Sequence, residues 1–461
     1  MKHFFTKWNI INFILMACAY GFGLYALVAV KLFTSVETRN DDMSVLFFSI
    51  IVVCFFISLL TFILLNAWLR KVYKPSLCVG AILITLFLIN LIALLSFKAE
   101  SIIRVDSENS FAFSLTDFDR IKYIIQYFIM LSLVFLTFDA APKIFKDTNV
   151  LLVACYMCIT VVLICVIYSY WTETETYFNF VKNIGKGNSY TYVVQSWLIH
   201  RNSYGICLFM GITASLYIHF LTKRWPFLVA ALFFYINIIF TLCKTALILG
   251  FVLLVFYLLV RFFLTFKENK KRNIIAISII GGIIVIFGVT VLTILICKNR
   301  IEYLFESLFG TTHFSTIISR FGIWKDIFKM FEQFNIVTGV GYHLFGRILI
   351  IFNTMSISEE TCYAHNGFLE LLGNGGIFLV IAYVLSLVYV VIRYFQVYKE
   401  DKMLSIFGLG LISTMLVYTM VESGTLLFCS TLEYTFFSFL VFVPILQRYP
   451  FNPFKKAVVL E

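Results

Sequence analysis

The chain has 461 residues, 61% of them hydrophobic and only 13% charged, with a formal net charge of +11 and a mean hydropathy of +0.94. Soluble domains carry about a quarter charged residues, so a water-soluble globular enzyme is excluded. Apolar runs of about 20 residues recur throughout, each long enough to cross roughly 30 Å of hydrocarbon as a helix.

With 53 Phe and only 6 Pro, these runs read as uninterrupted helices rather than barrel strands, which alternate in polarity. The expected fold is an all-α polytopic membrane protein, a single integral membrane domain over residues 1–461. About twelve transmembrane helices fall near 10–33, 45–68, 78–97, 123–138, 150–170, 203–222, 226–243, 245–266, 274–297, 366–395, 403–421 and 431–447. Lys2 and Lys7 precede an apolar run to Val30 that no small-residue cleavage site follows, so it reads as a first span and not a signal peptide. Trp68, Trp171, Trp197 and Trp225 lie at or near span ends, as an interfacial aromatic belt requires. Cys155 and Cys158 form a C-x-x-C inside an apolar helix with no second pair nearby, which suits packing better than metal or redox chemistry.

Placing the N-terminus in the cytoplasm and alternating sides puts most of the 36 Lys+Arg but few of the 25 acids on the cytoplasmic face. Short basic loops on one face and long mixed loops on the other are the positive-inside pattern. Both termini are then cytoplasmic, and the +11 charge is a topology signal that calls for no nucleic-acid partner. The long polar stretch 298–364, between the ninth and tenth spans, becomes an extracytoplasmic loop, as do 98–122 and 171–202. The last two mix acids, aromatics and polar residues, which fits either a carbohydrate-facing surface or ordinary solvated connections.

A few charged residues stand where charge is costly. Arg201, in His200-Arg201-Asn202, precedes the sixth span, where it either snorkels to lipid phosphate beside a capped helix start or meets substrate. Lys244 sits in an apolar context, Phe240 to Ala246, where a charge at mid-bilayer costs on the order of 2.5–3.5 kcal/mol. It marks a tight outer turn, a water-filled cavity that binds an anion, or both. Arg320 lies among apolar positions 314, 317, 318, 321, 324 and 328, whose spacing predicts an amphipathic helix on the membrane face. Lys325 and Lys329 on it suit head groups, whereas Arg320 is placed to face inward and grip diphosphate oxygens bidentately.

Thr338-Gly339-Val340-Gly341-Tyr342 reads as a glycine turn. Ala364-His365-Asn366-Gly367 then opens a long apolar run, with Asn366 as N-cap and the helix's free backbone N–H groups and positive dipole end at the outer interface. A histidine there suits a general base or a group that orients a hydroxyl. His313 and His343 have no such context and read as surface residues. No spacing of His and carboxylates suggests a metal site.

Ser319-Arg320-x-x-Ile323-Trp324, then Gly339-Val340-Gly341, then His365-Asn366-Gly367-Phe368-Leu369-Glu370-Leu371-Leu372 with Gly376 beyond, resembles the signature region of the O-antigen ligase and polymerase superfamily. Members have about a dozen spans and a large outer loop late in the chain. The resemblance implies metal-independent glycosyl transfer without a cofactor, from undecaprenyl-diphosphate-linked glycan donors, on the outer face of the cytoplasmic membrane. Arg320 then matches the family's loop arginine and His365 its essential histidine, these two being the expected catalytic residues. Lys244 falls where the family usually has an arginine, and Gly376 is followed by Leu379 rather than a further glycine. Arg201, Lys244, Asn366, Gly339 and Gly341 are the expected substrate-binding set. A polysaccharide polymerase acting on lipid-linked repeat units is the leading expectation, a ligase with a separate acceptor the alternative, and a flippase or secondary transporter the reading from another class. Membrane lipid, a chain-length regulator and a flippase are the expected partners.

Overall fold

The computed structural model describes residues 77–96, 102–105, 110–113, 117–135, 150–183, 193–198, 201–265, 311–342, 344–352, 364–422 and 432–448, with isolated positions between 53 and 60. The expected spans near 10–33 and 274–297, most of 45–68, His200, His343 and parts of the 298–364 loop lie outside these residues. In chain order the described elements are α1 (Leu77–Ser96), β1 (Ile102–Val105), β2 (Ser110–Phe113), α2 (Asp117–Phe135), α3 (Val150–Thr172), α4 (Thr174–Asn183), a short 3-10 turn (Ser196–Leu198), α5 (Arg201–Thr222), α6 (Pro226–Thr241), α7 (Lys244–Thr265), α8 (Thr311–Gln333), α9 (Leu344–Phe352), α10 (Gly367–Val397), α11 (Lys402–Val421) and α12 (Leu432–Arg448).

Among the described residues, five stretches are long and apolar enough to cross a membrane: Ala154–Thr172, Arg201–Thr222, Lys244–Phe262, Gly367–Val397 and Lys402–Val421. Shorter apolar helices cover Leu83–Leu95, Pro226–Thr241 and Phe436–Ile445. Each coincides with an expected span. The departure from a purely helical fold is a small antiparallel hairpin in the 98–122 segment, with Ile102 opposite Phe113 and Val105 opposite Ser110. The hairpin packs on α9. Trp171 and Trp225 are well exposed at helix ends, as belt residues must be.

The chain divides into two compact units, one of residues 1–151, 319–393 and 415–461, the other of 152–318 and 394–414. In the second, α5 is the central helix, buried from Tyr204 to Phe220 and packed against α6 and α7. A Cβ at Gly205 would stand 2.4 Å from Cys243 Cβ, so only glycine lets the start of α5 meet the turn between α6 and α7. A polar cluster ties this region together. Ser169 Oγ pairs with the hydroxyls of Tyr177 at 2.9 Å and Tyr204 at 3.0 Å. Burial pushes the Tyr177 hydroxyl up to about 12, keeping it a donor at any working pH. The Glu173 carboxylate accepts the backbone N–H groups of Gln195 at 3.0 Å and Ser196 at 2.6 Å, which anchors the 193–198 segment. Cys155 and Cys158 are buried free thiols on α3.

In the first unit, Leu94, Tyr123, Ile327, Met330, Val340, Leu344, Phe345, Ile348, Leu349 and Ala364 form one buried core, with Ile323, Trp324 and Leu369 packed on it. Helices α1, α2, α8, α9 and the start of α10 thus share one apolar centre. The periodicity around Arg320 yields a helix, α8. Phe321 and Phe328, on the stripe expected at the membrane face, are exposed, while Ile327 and Met330 on another row are fully buried. Trp324, also on the expected stripe, packs against the core.

Candidate functional site

The site is built from a break in α10. At Gly376 the backbone turns to φ 65°, ψ −163°, a conformation essentially closed to residues with a Cβ. Breaking a helix frees backbone groups that must find partners. Residues 336–341 supply them: Val340 N–H donates to Gly373 O at 2.9 Å, Gly341 N–H to Asn374 O at 3.0 Å, and Ile377 N–H to Ile336 O at 3.1 Å. A Cβ on Gly339 would lie 2.6 Å from Gly376 N, and one on Gly341 2.5 Å from Leu94 Cδ2. Gly339 and Gly341 therefore lie against the helix break and α1, with the N–H groups of residues 340 and 341 engaged by α10. Tyr342 N–H donates to Asn90 Oδ1 at 2.6 Å, pinning the far end of the turn.

His365 sits at the start of α10 with φ 47°, a left-handed conformation uncommon for a residue with a side chain. Its predecessor is held on both sides. Trp324 Nε1–H donates to Ala364 O at 2.8 Å, and Ala364 N–H donates to Glu370 Oε1 at 2.9 Å. Asn366 caps the helix, its Oδ1 accepting from Phe368 N–H at 3.0 Å and Leu369 N–H at 3.2 Å. The first N–H groups of α10, expected to be free for an anion, are in part taken by this cap.

Arg320, on α8, reaches the end of α11. Its Nη1 donates to Val421 O, a cation on the negative end of a helix dipole. Asn366 Nδ2 approaches Met420 O at 3.5 Å. Immediately beyond, Glu422 presents one carboxylate oxygen to Arg320 Nη2 at 3.7 Å and the other to His365 Nδ1 at 3.7 Å. Both separations are ion-pair spacings, longer than hydrogen bonds. The Arg320, Glu422 and His365 side chains are 27%, 19% and 39% exposed, so the cluster is open to a ligand yet sheltered enough for charge to matter. Arg320 and His365, 45 positions apart in sequence, are thus brought to one carboxylate.

Lys244 and Arg201 belong to the second unit. Leu242 closes α6 in the left-handed conformation, and Cys243 N–H donates to Thr241 Oγ1 at 3.1 Å. Lys244 is then the first residue of α7, so the tight turn weighed from sequence is present. Arg201 is the first residue of α5. Both basic residues thus stand at the positive end of a helix dipole, and Gly205 on α5 packs against Cys243 beside Lys244. That arrangement suits an anion.

Glu422 escaped the sequence reading. Its only local sign is an acid directly after the apolar run Met415–Val421, a position where a helix C-terminus would favour a basic residue. Glu370 and Trp324 lay inside recognised motifs, but Trp324 pins Ala364 through a contact across 40 residues, and Glu370 does so from one turn into α10. A family model described as O-antigen ligase matches residues 227–384, a span that includes Lys244, Arg320, Gly339, Gly341, His365 and Asn366. No curated protein and no solved structure matches the chain.

Proposed function

We propose, from the O-antigen ligase and polymerase superfamily that the match over residues 227–384 supports, that this membrane protein is a polysaccharide polymerase. It transfers an undecaprenyl-diphosphate-linked glycan onto a lipid-linked repeat unit, building O-antigen, capsule or exopolysaccharide. The observation that carries the reading is the convergence of Arg320 and His365 on Glu422. An anion-binding guanidinium and a proton-accepting imidazole in one cluster are what glycosyl transfer from a diphosphate donor requires. The site lies on the outer face of the cytoplasmic membrane in this proposal, with both termini cytoplasmic. Positive-inside charge supports that orientation, and so does the fact that the three converging segments fall on the same side by charge.

In the proposed reaction Arg320 binds the donor diphosphate and neutralises charge as it leaves. His365 accepts the proton of the acceptor sugar hydroxyl while that oxygen bonds to the anomeric carbon. The displacement is metal-independent and uses no cofactor, as the resemblance implies. Lys244 and Arg201 bind an anionic group of the substrate, as the resemblance implies, and Asn366 sets the helix start that presents His365. Gly339 and Gly341 contribute by seating their turn on the break in α10. Leaving-group stabilisation is the larger effect, because the diphosphate carries the developing charge.

Arg320→Lys keeps the charge and loses the fork, so transfer in membranes supplied with lipid-linked repeat units falls on the order of 100-fold. A full rate in Arg320→Lys would remove Arg320 from the mechanism. The family model's description favours a second reading, a ligase that delivers finished glycan to a separate acceptor. A ladder of lipid-bound oligosaccharides from repeat units alone identifies the polymerase, and transfer to a separate acceptor without laddering identifies the ligase. Co-purification with a chain-length regulator or flippase would place either enzyme in an export assembly.

A further inference from the structure

Glu422 stands at the C-terminal end of α11, with its N–H bonded back to Tyr418 O at 3.0 Å. A carboxylate there has the wrong sign for the helix dipole, and stability alone would favour glycine or a basic residue. Arg320 offsets that cost. The same carboxylate, however, faces His365 Nδ1 at the same 3.7 Å as it faces Arg320. One acid is shared by two partners and is in hydrogen-bonding contact with neither.

Resting on the glycosyl-transfer reading, we propose that Glu422 is a positioning residue that couples donor binding to the histidine. With no anion present, its charge is divided between Arg320 and His365. When the donor diphosphate engages Arg320, the guanidinium's charge is met by phosphate oxygens and Glu422 closes on His365 Nδ1–H. That contact fixes the tautomer with Nε2 free toward the acceptor hydroxyl, and it stabilises the imidazolium formed in the reaction. The acceptor O–H proton moves to Nε2 and the acceptor oxygen bonds to the anomeric carbon. The anomeric C–O bond to phosphate breaks, its electron pair leaving with the diphosphate. Glu422 keeps its negative charge throughout. The base is thus completed when a donor is in place.

Glu422 faces His365 Nδ1, with Arg320 on the other side of the same carboxylate. Glu370, on α10, accepts from Ala364 N–H beside it. In the full-length protein in membranes, Glu422→Gln is expected to cut the transfer rate on the order of 10–100-fold with little change in donor KM. Glu422→Asp should restore part of the rate. A parallel measurement needs no turnover: nitrogen NMR of His365 in the full chain, identified by its loss in His365→Asn, with undecaprenyl diphosphate as probe. The probe should shift the wild-type ring toward the Nδ1–H tautomer and leave the Glu422→Gln ring unmoved. A Glu422→Gln protein with the wild-type rate, a Glu422→Gln ring that still shifts with the probe, or a ring that ignores the probe in wild type would each overturn the coupling. Absence of any glycosyl transfer by the wild-type protein, with the tautomer shift intact, would overturn the functional reading instead.

Discussion

Gly376→Ala tests whether the break in α10 organises the site. At φ 65°, ψ −163° a Cβ brings on the order of 1–3 kcal/mol of backbone strain. It would also stand 2.1 Å from Val337 O and 2.4 Å from Val337 C. Those are backbone atoms of the docked segment, with no flexible side chain to swing aside. Relief requires the 336–341 segment to lift off α10, with loss of the bonds Val340–Gly373, Gly341–Asn374 and Ile377–Ile336 at about 0.5–1.5 kcal/mol each. The combined cost is on the order of 3–7 kcal/mol. It should appear as a fall in melting temperature on the order of 5–10 °C for the detergent-solubilised chain, followed through tryptophan fluorescence, with transfer activity lost. Gly80→Ala is the control. It lies within α1 with nothing within 4 Å of its added Cβ, and it should melt at or above the wild-type temperature because alanine favours helix by up to about 1 kcal/mol. If Gly376→Ala melted with the wild type and kept its activity, the break would not be a structural requirement and the role given to the glycine turn would fail.

Trp324→Phe removes the donor to Ala364 O while keeping an aromatic ring in the core. The lost bond should cost about 1–3 kcal/mol, and a kinetic assay should show the rate falling more than donor KM rises, since His365 rather than the anion site is disturbed. Gly205→Ala should destabilise the second unit by overpacking, about 1–3 kcal/mol. Cys243→Ala should fail to rescue it, because the nearest atom is Cys243 Cβ itself; rescue in the melting curve would show that the sulfur, at 2.9 Å, is the true obstacle. Glu173→Ala strips two backbone N–H groups of their carboxylate acceptor. Limited proteolysis should then cut near residues 193–198 faster than in the wild type, and unchanged cleavage would refute the anchoring role.

Much of the helix layout was legible because a bilayer demands long apolar runs, and such runs are visible without any tertiary information. The described spans from Leu77 onward fall where hydropathy puts them. In the run Phe220–Leu264, Lys244 is the polar residue that separates α6 from α7. The structure locates the turn at Leu242 through its left-handed cap. The hairpin in 98–122 escaped because strands of four residues carry too little alternation to register. On α8 the sequence identified a helix and a residue, Arg320, but not the second row, Ile327 and Met330, that enters the core.

The sequence by itself determined the membrane class, the positions of most helices and the two residues, Arg320 and His365, on which the proposed chemistry turns. Those are local properties: hydrophobic length, charge where charge is costly, and residue types in a short motif. Tertiary structure alone decided that the two residues face a common carboxylate, that Ala364 is pinned by Trp324 and Glu370, and that Gly339 and Gly341 dock on a broken helix. Apart from the bond of Glu370 to Ala364, six positions away, each of those facts depends on through-space distance between segments tens of residues apart. A single acid after an apolar run looks like any other until folding brings its partners within reach.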